Sequence, residues 1–263
     1  MKAKASNLFS NVILNTWATF VYFFSQWLLT IVITRVSGYD NAGTFTLAVS
    51  FSNIFGFISK FGMRGIQVGD IQKSYSDGQY FTSRIITSCL SVIPFAIALL
   101  VCQYRKDLQD CCIAMMCYKI LEGFDDAAMG SLQREHRYNK IAISYTMKAV
   151  LTLAVMTGML LIKMPLNIAV WTMSLAYAGV LLFYDFYQLK DLSFVSWSAK
   201  GMKELLIKCI PLVVVGIFDA ILLYLPRNAI EQIYGSTELG YYGSVSIIVV
   251  VLSTLGGAVW GSG

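Results

Sequence analysis

Apolar residues in this chain fall into eight runs that are separated by shorter polar segments. Each run has about 20 residues, which is the length that an α-helix needs to cross a hydrocarbon core of about 30 Å. The pattern therefore predicts an all-α polytopic membrane protein. Its spans are expected at roughly 8–34, 42–62, 85–104, 109–132, 141–163, 166–188, 206–226 and 240–261.

The first and fourth runs differ from the others. The run at 8–34 is too long for the short apolar core of a signal peptide, so it is interpreted as a retained first helix. The run at 109–132 is the least hydrophobic of the eight, because four charged residues interrupt it. These residues are Lys119, Glu122, Asp125 and Asp126.

The composition excludes several classes of protein. Charged side chains make up only 13% of the chain, whereas soluble domains have about 25%. The single histidine, His136, excludes a multi-histidine metal site and a Ser-His-Asp triad. The six cysteines form no Cys-x-x-Cys pair, and the net charge of +5 is too small to indicate nucleic acid as a partner. We therefore expect neither an enzyme nor a metalloprotein.

The basic residues predict an orientation. With the N-terminus in the cytoplasm, fourteen Lys and Arg residues lie on the cytoplasmic side and five on the other, and Lys119 lies inside a span. Positive charge near the ends of spans favours the cytoplasmic side. Both termini are therefore expected inside, with 105–110 and 227–238 outside.

A short glycine pattern occurs twice, before the second run and before the eighth. The two copies read Gly38-x4-Gly43-x-Phe45 and Gly235-x4-Gly240-x-Tyr242. Their offset of 197 residues corresponds to six spans, as in transporters built from parallel repeats. We predict a six-helix N-terminal lobe at 1–190 and the first two helices of a second lobe at 191–263. Such a chain would be a truncated product or a fragment.

The charged residues of the fourth span share one face. At about 100° per residue, Lys119, Glu122 and Asp126 fall within a narrow arc. Ionisable groups inside a membrane face a partner or a watery cavity, because exposure to lipid is costly. This face is therefore a candidate wall of a substrate path. A local Lys119–Glu122 ion pair, three residues apart, explains the pattern equally well.

Two further spans contain candidate path residues. In the first span, Asn11, Asn15 and Gln26 lie on one polar face. In the seventh, Asp219 lies near the middle and Arg227 closes the outer end. Hydrogen bonding between helices is the alternative explanation for each of them taken singly.

Three stretches of the chain carry a family resemblance. They are Phe61-Gly-Met-Arg64 with Gln67-Val-x-Asp70, Tyr80 and Arg84-Ile-Ile-Thr87; Lys119-x-x-Glu122 with Asp125 or Asp126, Gly130-x-x-Gln133 and Arg137; and Pro226-Arg227 with Ile230-Glu231, Gly235 and Glu238-Leu-Gly240. Together they resemble the bacterial O-antigen flippases, which are Wzx-like polysaccharide-unit exporters of the multidrug/oligosaccharidyl-lipid/polysaccharide superfamily. Members of this family normally have twelve or more spans in two six-helix lobes.

The resemblance implies a function in the bacterial inner membrane. It implies that an undecaprenyl-diphosphate-linked oligosaccharide is flipped between leaflets, with Arg64, Lys119 and Arg227 attracting the diphosphate. Glu122 and Asp219 are then candidates to couple the cycle to a proton or sodium gradient. No cofactor is expected, and the sequence contains no nucleotide-binding motif. Polysaccharide polymerase and glycosyltransferases are the protein partners that this function implies.

Two alternatives stay open. One is a multidrug exporter of the same superfamily, whose cationic substrates would favour carboxylates over arginines in the path. The other is a truncated, non-transporting partner in membrane assembly. Because alternating access requires two lobes around one cavity, we expect that this chain alone does not complete transport.

Overall fold

In the computed structural model, the backbone is described for residues 2–70, 72–190 and 196–246, and side chains are described from Trp17 onward except that of Ala199. All regular secondary structure in these ranges is helical, which confirms the all-α fold class. The helices are α1 Lys2–Lys60, α2 Met63–Gly69, α3 Asp77–Cys102, α4 Lys106–Arg134, α5 Tyr138–Leu161, α6 Leu166–Val180, α7 Phe186–Gln188, α8 Ala199–Tyr234 and α9, residues 236–246.

The long helix α1 contains the first two predicted spans, and the chain folds back between them. Tyr22 and Lys60 both hydrogen bond to the carboxylate of Glu122, at 2.9 and 3.0 Å. In a straight helix these two residues would be about 57 Å apart. The reversal occurs at Gly38, whose φ of 86° and ψ of 172° are outside the helical region and favour glycine.

The third, fifth and sixth predicted spans correspond to α3, α5 and the continuous run from α6 to α7. Five helices in the described part of the chain are long and apolar enough to cross a membrane. One of them is the folded-back α1, and α4 is not among them because of its charges. Residues 247–261 of the eighth predicted span lie outside the described residues.

The seventh span is longer than predicted. The apolar run predicted its end at 226, but α8 continues to Tyr234 and includes Arg227. The sequence pattern placed Arg227 at the end of the helix because a charge usually marks the headgroup region. In the structure this guanidinium instead lines an internal cavity.

The helices expose apolar side chains and bury polar ones. Phe183 and Leu100 are 84% and 77% exposed, whereas Arg84 and Lys148 are fully buried. An apolar exterior with polar groups inside is typical of a protein whose solvent is lipid. Together with the five apolar helices, it shows a multi-pass membrane protein.

Helix ends cluster at two opposite ends of the bundle. The end where α1 and α4 finish and α5 and α8 begin is called the basic end, and the end that holds Gly38, Arg105 and Gly235 is called the far end. The sequence count placed Lys148 and Arg84 outside the membrane on the cytoplasmic side. The structure corrects this, because both are buried within α5 and α3, where carboxylates neutralise them. Without these two residues, and without Arg227, which lines a cavity, twelve basic residues on that side still outnumber four on the other.

The repeated glycine pattern has a structural counterpart at the far end. Gly38 and Gly235 have matching φ values of 86° and 88°. A Cβ atom on Gly43 would lie 1.8 Å from the Ser236 carbonyl oxygen, and one on Gly240 would lie 2.0 Å from that of Tyr39. Tyr39 and Gly43 correspond to Ser236 and Gly240 at the offset of 197 residues, so the two contacts are equivalent in the two copies of the pattern. The second half of α1 and α9 therefore cross at backbone contact, and this crossing is called the glycine seam.

Candidate functional site

Three adjoining, partly open cavities lie between α1, α4 and α8. Their volumes are about 360, 200 and 80 Å³. The first two share Tyr22, Asn53 and Glu122, and the last two share Leu223 and Arg227. Shared walls make them one continuous feature, which is called the polar path.

A larger cavity of about 430 Å³ lies at the far end, apart from the polar path. It is lined by residues such as Asp40, Arg105 and Lys163. It contains none of the predicted site residues. The candidate site is therefore the polar path rather than the largest cavity.

At the centre of the polar path, Glu122 accepts hydrogen bonds from three side chains, and a fourth side chain contacts one of these three. Its Oε2 accepts hydrogen bonds from Lys60 and Lys119, both at 3.0 Å, and its Oε1 accepts one from Tyr22 at 2.9 Å. Tyr118 lies 3.1 Å from the Tyr22 hydroxyl. The predicted Lys119–Glu122 ion pair is thus present, and both residues also line the cavities. The two explanations given for the fourth-span face are therefore compatible.

Asp126 is neutralised from behind the cavity wall. Arg84, which is buried in α3, donates to its Oδ2 at 2.9 Å and also to the backbone carbonyls of Ser59 and Lys60. Arg64 lies 3.7 Å from the other oxygen of Asp126. Because Arg84 does not line the cavity, it supplies positive charge to Asp126 without facing the path.

Asp125 is neutralised in the same way. Its Oδ1 accepts a hydrogen bond from the buried Lys148 ammonium, and its Oδ2 accepts one from the Tyr177 hydroxyl at 2.7 Å. Lys148 also binds Asp185 at 2.6 Å. Asp125 and Tyr177 line the largest cavity of the path, whereas Lys148 and Asp185 lie behind them.

The face of the polar path therefore has an excess of positive charge. Two of its carboxylates, Asp125 and Asp126, have cationic partners outside the cavity, and the partner of Asp125, Lys148, is shared with Asp185. The side chains that remain are the cations Lys60, Arg64, Lys119 and Arg227 and the carboxylates Glu122 and Asp219. A buried excess of this sign favours an anionic ligand.

Arg227 shows this excess most clearly. Its guanidinium donates to the Ser50 hydroxyl, and within the described ranges no carboxylate lies within 4.0 Å of it. The amide nitrogen of Gln26, on the same cavity, is buried without an acceptor in the described structure. Both groups are hydrogen-bond donors that lack a strong acceptor.

Hydrogen bonds to Asp70 hold the loop that follows α2 at the basic end. Asp70 accepts hydrogen bonds from the backbone N–H groups of Ser74 and Tyr75 at 2.8 and 2.9 Å. Partial burial raises the pKa of Asp70, but these two donors outweigh burial and hold its pKa below the usual range. The stability that this carboxylate contributes is therefore present above its unfolded-state pKa and is lost as the pH falls through the folded-state value.

Seven of the nine predicted site residues line the polar path. They are Gln26, Arg64, Lys119, Glu122, Asp126, Asp219 and Arg227. The side chains of Asn11 and Asn15 lie outside the described residues. Whether any of these residues contacts substrate stays a prediction.

Several site residues were missing from the predicted set. Lys60, Tyr22 and Asn53 were not among the nine predicted site residues, although helical spacing places each of them with other polar residues of the first two spans. Arg84 and Lys148 gave no such signal, because a basic residue at the edge of an apolar run resembles a headgroup charge. Only their carboxylate partners, which come from other helices, reveal their positions.

Cysteine labelling tests access to the polar path. Single cysteines at Lys119, Glu122 and Asp126, in a background without the six native cysteines, should react with water-soluble thiol reagents, because these positions line the cavities. A cysteine at Phe183, which is 84% exposed on the apolar exterior, is the lipid-facing control and should stay unreacted. Protection at all three path positions would show a dry, packed ion-pair cluster instead.

Comparison with protein families matches residues 32–259 to the family described as "Polysaccharide biosynthesis protein". Comparison with curated proteins gives no match. Among solved structures, the chain is similar to the MATE multidrug transporter DinF-BH. The TM-score is 0.64 at 17% identity, over 94% of this chain and 61% of that one.

A second similar structure is a MOP superfamily transporter from Pyrococcus furiosus. Its TM-score is 0.55 at 12% identity, over 96% of this chain and 65% of that one, and that transporter is described as having a reversed polarity of the binding pocket that suggests a different function. The fold is therefore that of these transporters. The chain spans about three fifths of the length of the transporters it matches.

Proposed function

Because the chain belongs to a family of polysaccharide biosynthesis proteins, we propose that it functions in the translocation of lipid-linked oligosaccharide units across the bacterial inner membrane. The substrate would be an undecaprenyl-diphosphate-linked repeat unit for O-antigen or another surface polysaccharide. Polysaccharide polymerase and glycosyltransferases would be its protein partners in that pathway.

The observation that carries this proposal is the unneutralised Arg227 on the polar path. A guanidinium inside a membrane protein is costly unless an anion compensates it. Its planar donor fork matches phosphate oxygens in two-point contacts. Lys60, Lys119 and Arg64 extend the positive surface towards the basic end. A diphosphate entering there would meet cations along the whole path.

The polar path would reduce the main barrier to translocation. Moving sugar hydroxyls and a diphosphate through about 30 Å of hydrocarbon removes their hydration without replacement. Cavity side chains that donate and accept hydrogen bonds replace part of that hydration. Glu122, held between two lysines, and Asp219, which lines the same cavity as Arg227, are the carboxylates that we propose for coupling to a proton or sodium gradient.

Multidrug export is the second candidate function. It is favoured by the fold shared with a MATE multidrug transporter. A cationic substrate would need a path with an excess of carboxylates. The neutralisation of Asp125 and Asp126 from behind gives the opposite balance, and we therefore place this function second.

Binding experiments separate the two candidates. The purified full chain in lipid nanodiscs would be titrated with undecaprenyl diphosphate and, separately, with the lipophilic cation tetraphenylphosphonium. The proposed function predicts saturable binding of the anionic lipid that weakens with salt. Binding of the cation alone would support multidrug export, and binding of neither would contradict both functions.

We propose that the basic end faces the cytoplasm. The excess of basic residues at that end is the reason. A reporter enzyme that is active only on the periplasmic side should be active when fused after Lys106 and inactive when fused after Lys200. An inactive reporter at Lys106 together with an active one at Lys200 would invert the orientation.

A further inference from the structure

A buried ionic cluster lies between α4, α5 and the π-helical turn that follows α6, and it adjoins the polar path through Asp125. Its centre is Lys148, which is fully buried. The ammonium group donates to Asp125, to the Ser144 hydroxyl at 2.8 Å and to Asp185 Oδ2 at 2.6 Å. All three of its N–H donors are therefore used. Asp185 is also fully buried.

The two carboxylates of this cluster are satisfied unequally. Asp125 accepts one hydrogen bond on each oxygen, from Lys148 and from Tyr177. Asp185 accepts the Lys148 bond on Oδ2 and also interacts with the Ser144 side chain, but its Oδ1 is buried with no partner at hydrogen-bond distance in the described part of the chain. A buried carboxylate oxygen in this state is destabilised if it carries charge. The unsatisfied group of the cluster is thus a single oxygen atom.

The local chain geometry directs Asp185 into the cluster. One π-helical turn, Leu181–Asp185, interrupts the run between α6 and α7. Such turns are rare and are frequent at functional sites. The charged groups that face Asp185 in the described residues are Lys148 from α5 and Asp125 from α4, and Tyr184 is the titratable neighbour on its own helix.

The charges of the cluster do not cancel if both carboxylates are ionised. Within the cluster one ammonium faces two carboxylates, which leaves one negative charge, and Arg64, on the cavity side of Asp125, is the next cation. We propose that Asp185 binds one proton on Oδ1 at neutral pH, which makes the cluster neutral. An alkali cation fits the site poorly, because the Lys148 ammonium already lies between the carboxylates and would repel it.

This proton would control the charge of the polar path, a consequence that rests on the proposed function. When Asp185 is protonated, the charge of Lys148 is available to Asp125, which lines the cavity. When the proton leaves, Lys148 is shared between two carboxylates, and Asp125 adds negative charge to the cavity wall. Loss of the proton therefore weakens binding of an anionic substrate.

Infrared spectroscopy of the full chain in nanodiscs tests the proton directly. The wild-type chain at neutral pH should show the carbonyl stretch of one more protonated carboxyl group than Asp185→Asn. Asp125→Asn should lose the same band, because Lys148 then neutralises Asp185 and the proton is no longer needed. Glu122→Gln, which changes a carboxylate outside the cluster, should keep it. A single monodisperse species with wild-type helical content would show that each variant is folded.

The results that overturn the proposal are equally specific. An unchanged carboxyl band in folded Asp185→Asn would show that Asp185 is ionised. Loss of the wild-type band on addition of sodium at constant pH would show that a metal cation, rather than a proton, fills the site. If the bands behave as expected but no variant binds undecaprenyl diphosphate, the proton site stands and the proposed function fails. If the chain binds that lipid but the band does not depend on Asp185, only the proton site fails.

Discussion

Replacing Gly240 by alanine should separate the two helices of the glycine seam. The new Cβ atom would lie 2.0 Å from the carbonyl oxygen of Tyr39. This neighbour is backbone and cannot rotate away, so one helix must move. Overpacking of this kind typically costs about 1–3 kcal/mol, and contact with backbone places the substitution at the upper end. Gly43→Ala should act in the same way, because its Cβ atom would meet the Ser236 carbonyl at 1.8 Å.

Disulfide crosslinking reports on the seam. The rings of Tyr39 and Tyr241 are 4.0 Å apart, so cysteines at these positions should crosslink in an otherwise cysteine-free chain. Crosslinking should fall at least several-fold when Gly240→Ala is added. Gly158→Ala is the matched control, because a Cβ atom there meets nothing within 4 Å and should be neutral or slightly stabilising. Equal crosslinking in both variants would show that the seam does not need glycine.

Replacing Arg227 by glutamine should weaken binding of undecaprenyl diphosphate by roughly 10- to 100-fold, since a hydrogen bond to a charged group contributes about 1.5–3 kcal/mol. The substitution removes the one cation of the path that has only a hydroxyl partner in the described structure. Arg227→Lys should lose less, because it keeps the charge and loses only the planar donor fork. Titration of each variant in nanodiscs gives the dissociation constants.

Arg105→Gln is the control for this prediction. Arg105 is nearly half exposed at the far end, where it pairs with Asp40, and it does not line the polar path. Its replacement should leave the dissociation constant unchanged. If both substitutions weaken binding equally, the lipid is attracted by overall charge, and the polar path is not its site.

The sequence was sufficient to predict the fold class and seven of the residues that line the polar path. Runs of apolar residues predicted α3, α5 and the run from α6 to α7, because length and hydropathy alone define a lipid-facing helix. The family resemblance was also confirmed. Helical spacing correctly placed Lys119, Glu122 and Asp126 on one face, since three residues on one helix need no tertiary information.

The sequence was insufficient wherever a charge was compensated by another helix. Lys148 and Arg84 were counted as loop charges, because nothing local indicates that Asp185 and Asp126 neutralise them. The end of α8 was placed before Arg227 for a different reason, because a charge that follows an apolar run usually marks the headgroup region, whereas this guanidinium lines the polar path. The division into lobes at 190 and 191 stays a prediction, because residues 191–195 lie outside the described structure.

The central claim is that cations on the polar path bind a diphosphate. Solid-state NMR measures this contact through the dipolar coupling between lipid phosphorus and arginine guanidinium nitrogens. For the full chain in nanodiscs with undecaprenyl diphosphate, we predict a phosphorus–nitrogen contact within about 4 Å, as in a charge-assisted hydrogen bond, that disappears in Arg227→Gln and persists in Arg105→Gln. No contact at saturating lipid, or a contact that persists in Arg227→Gln, would contradict the account.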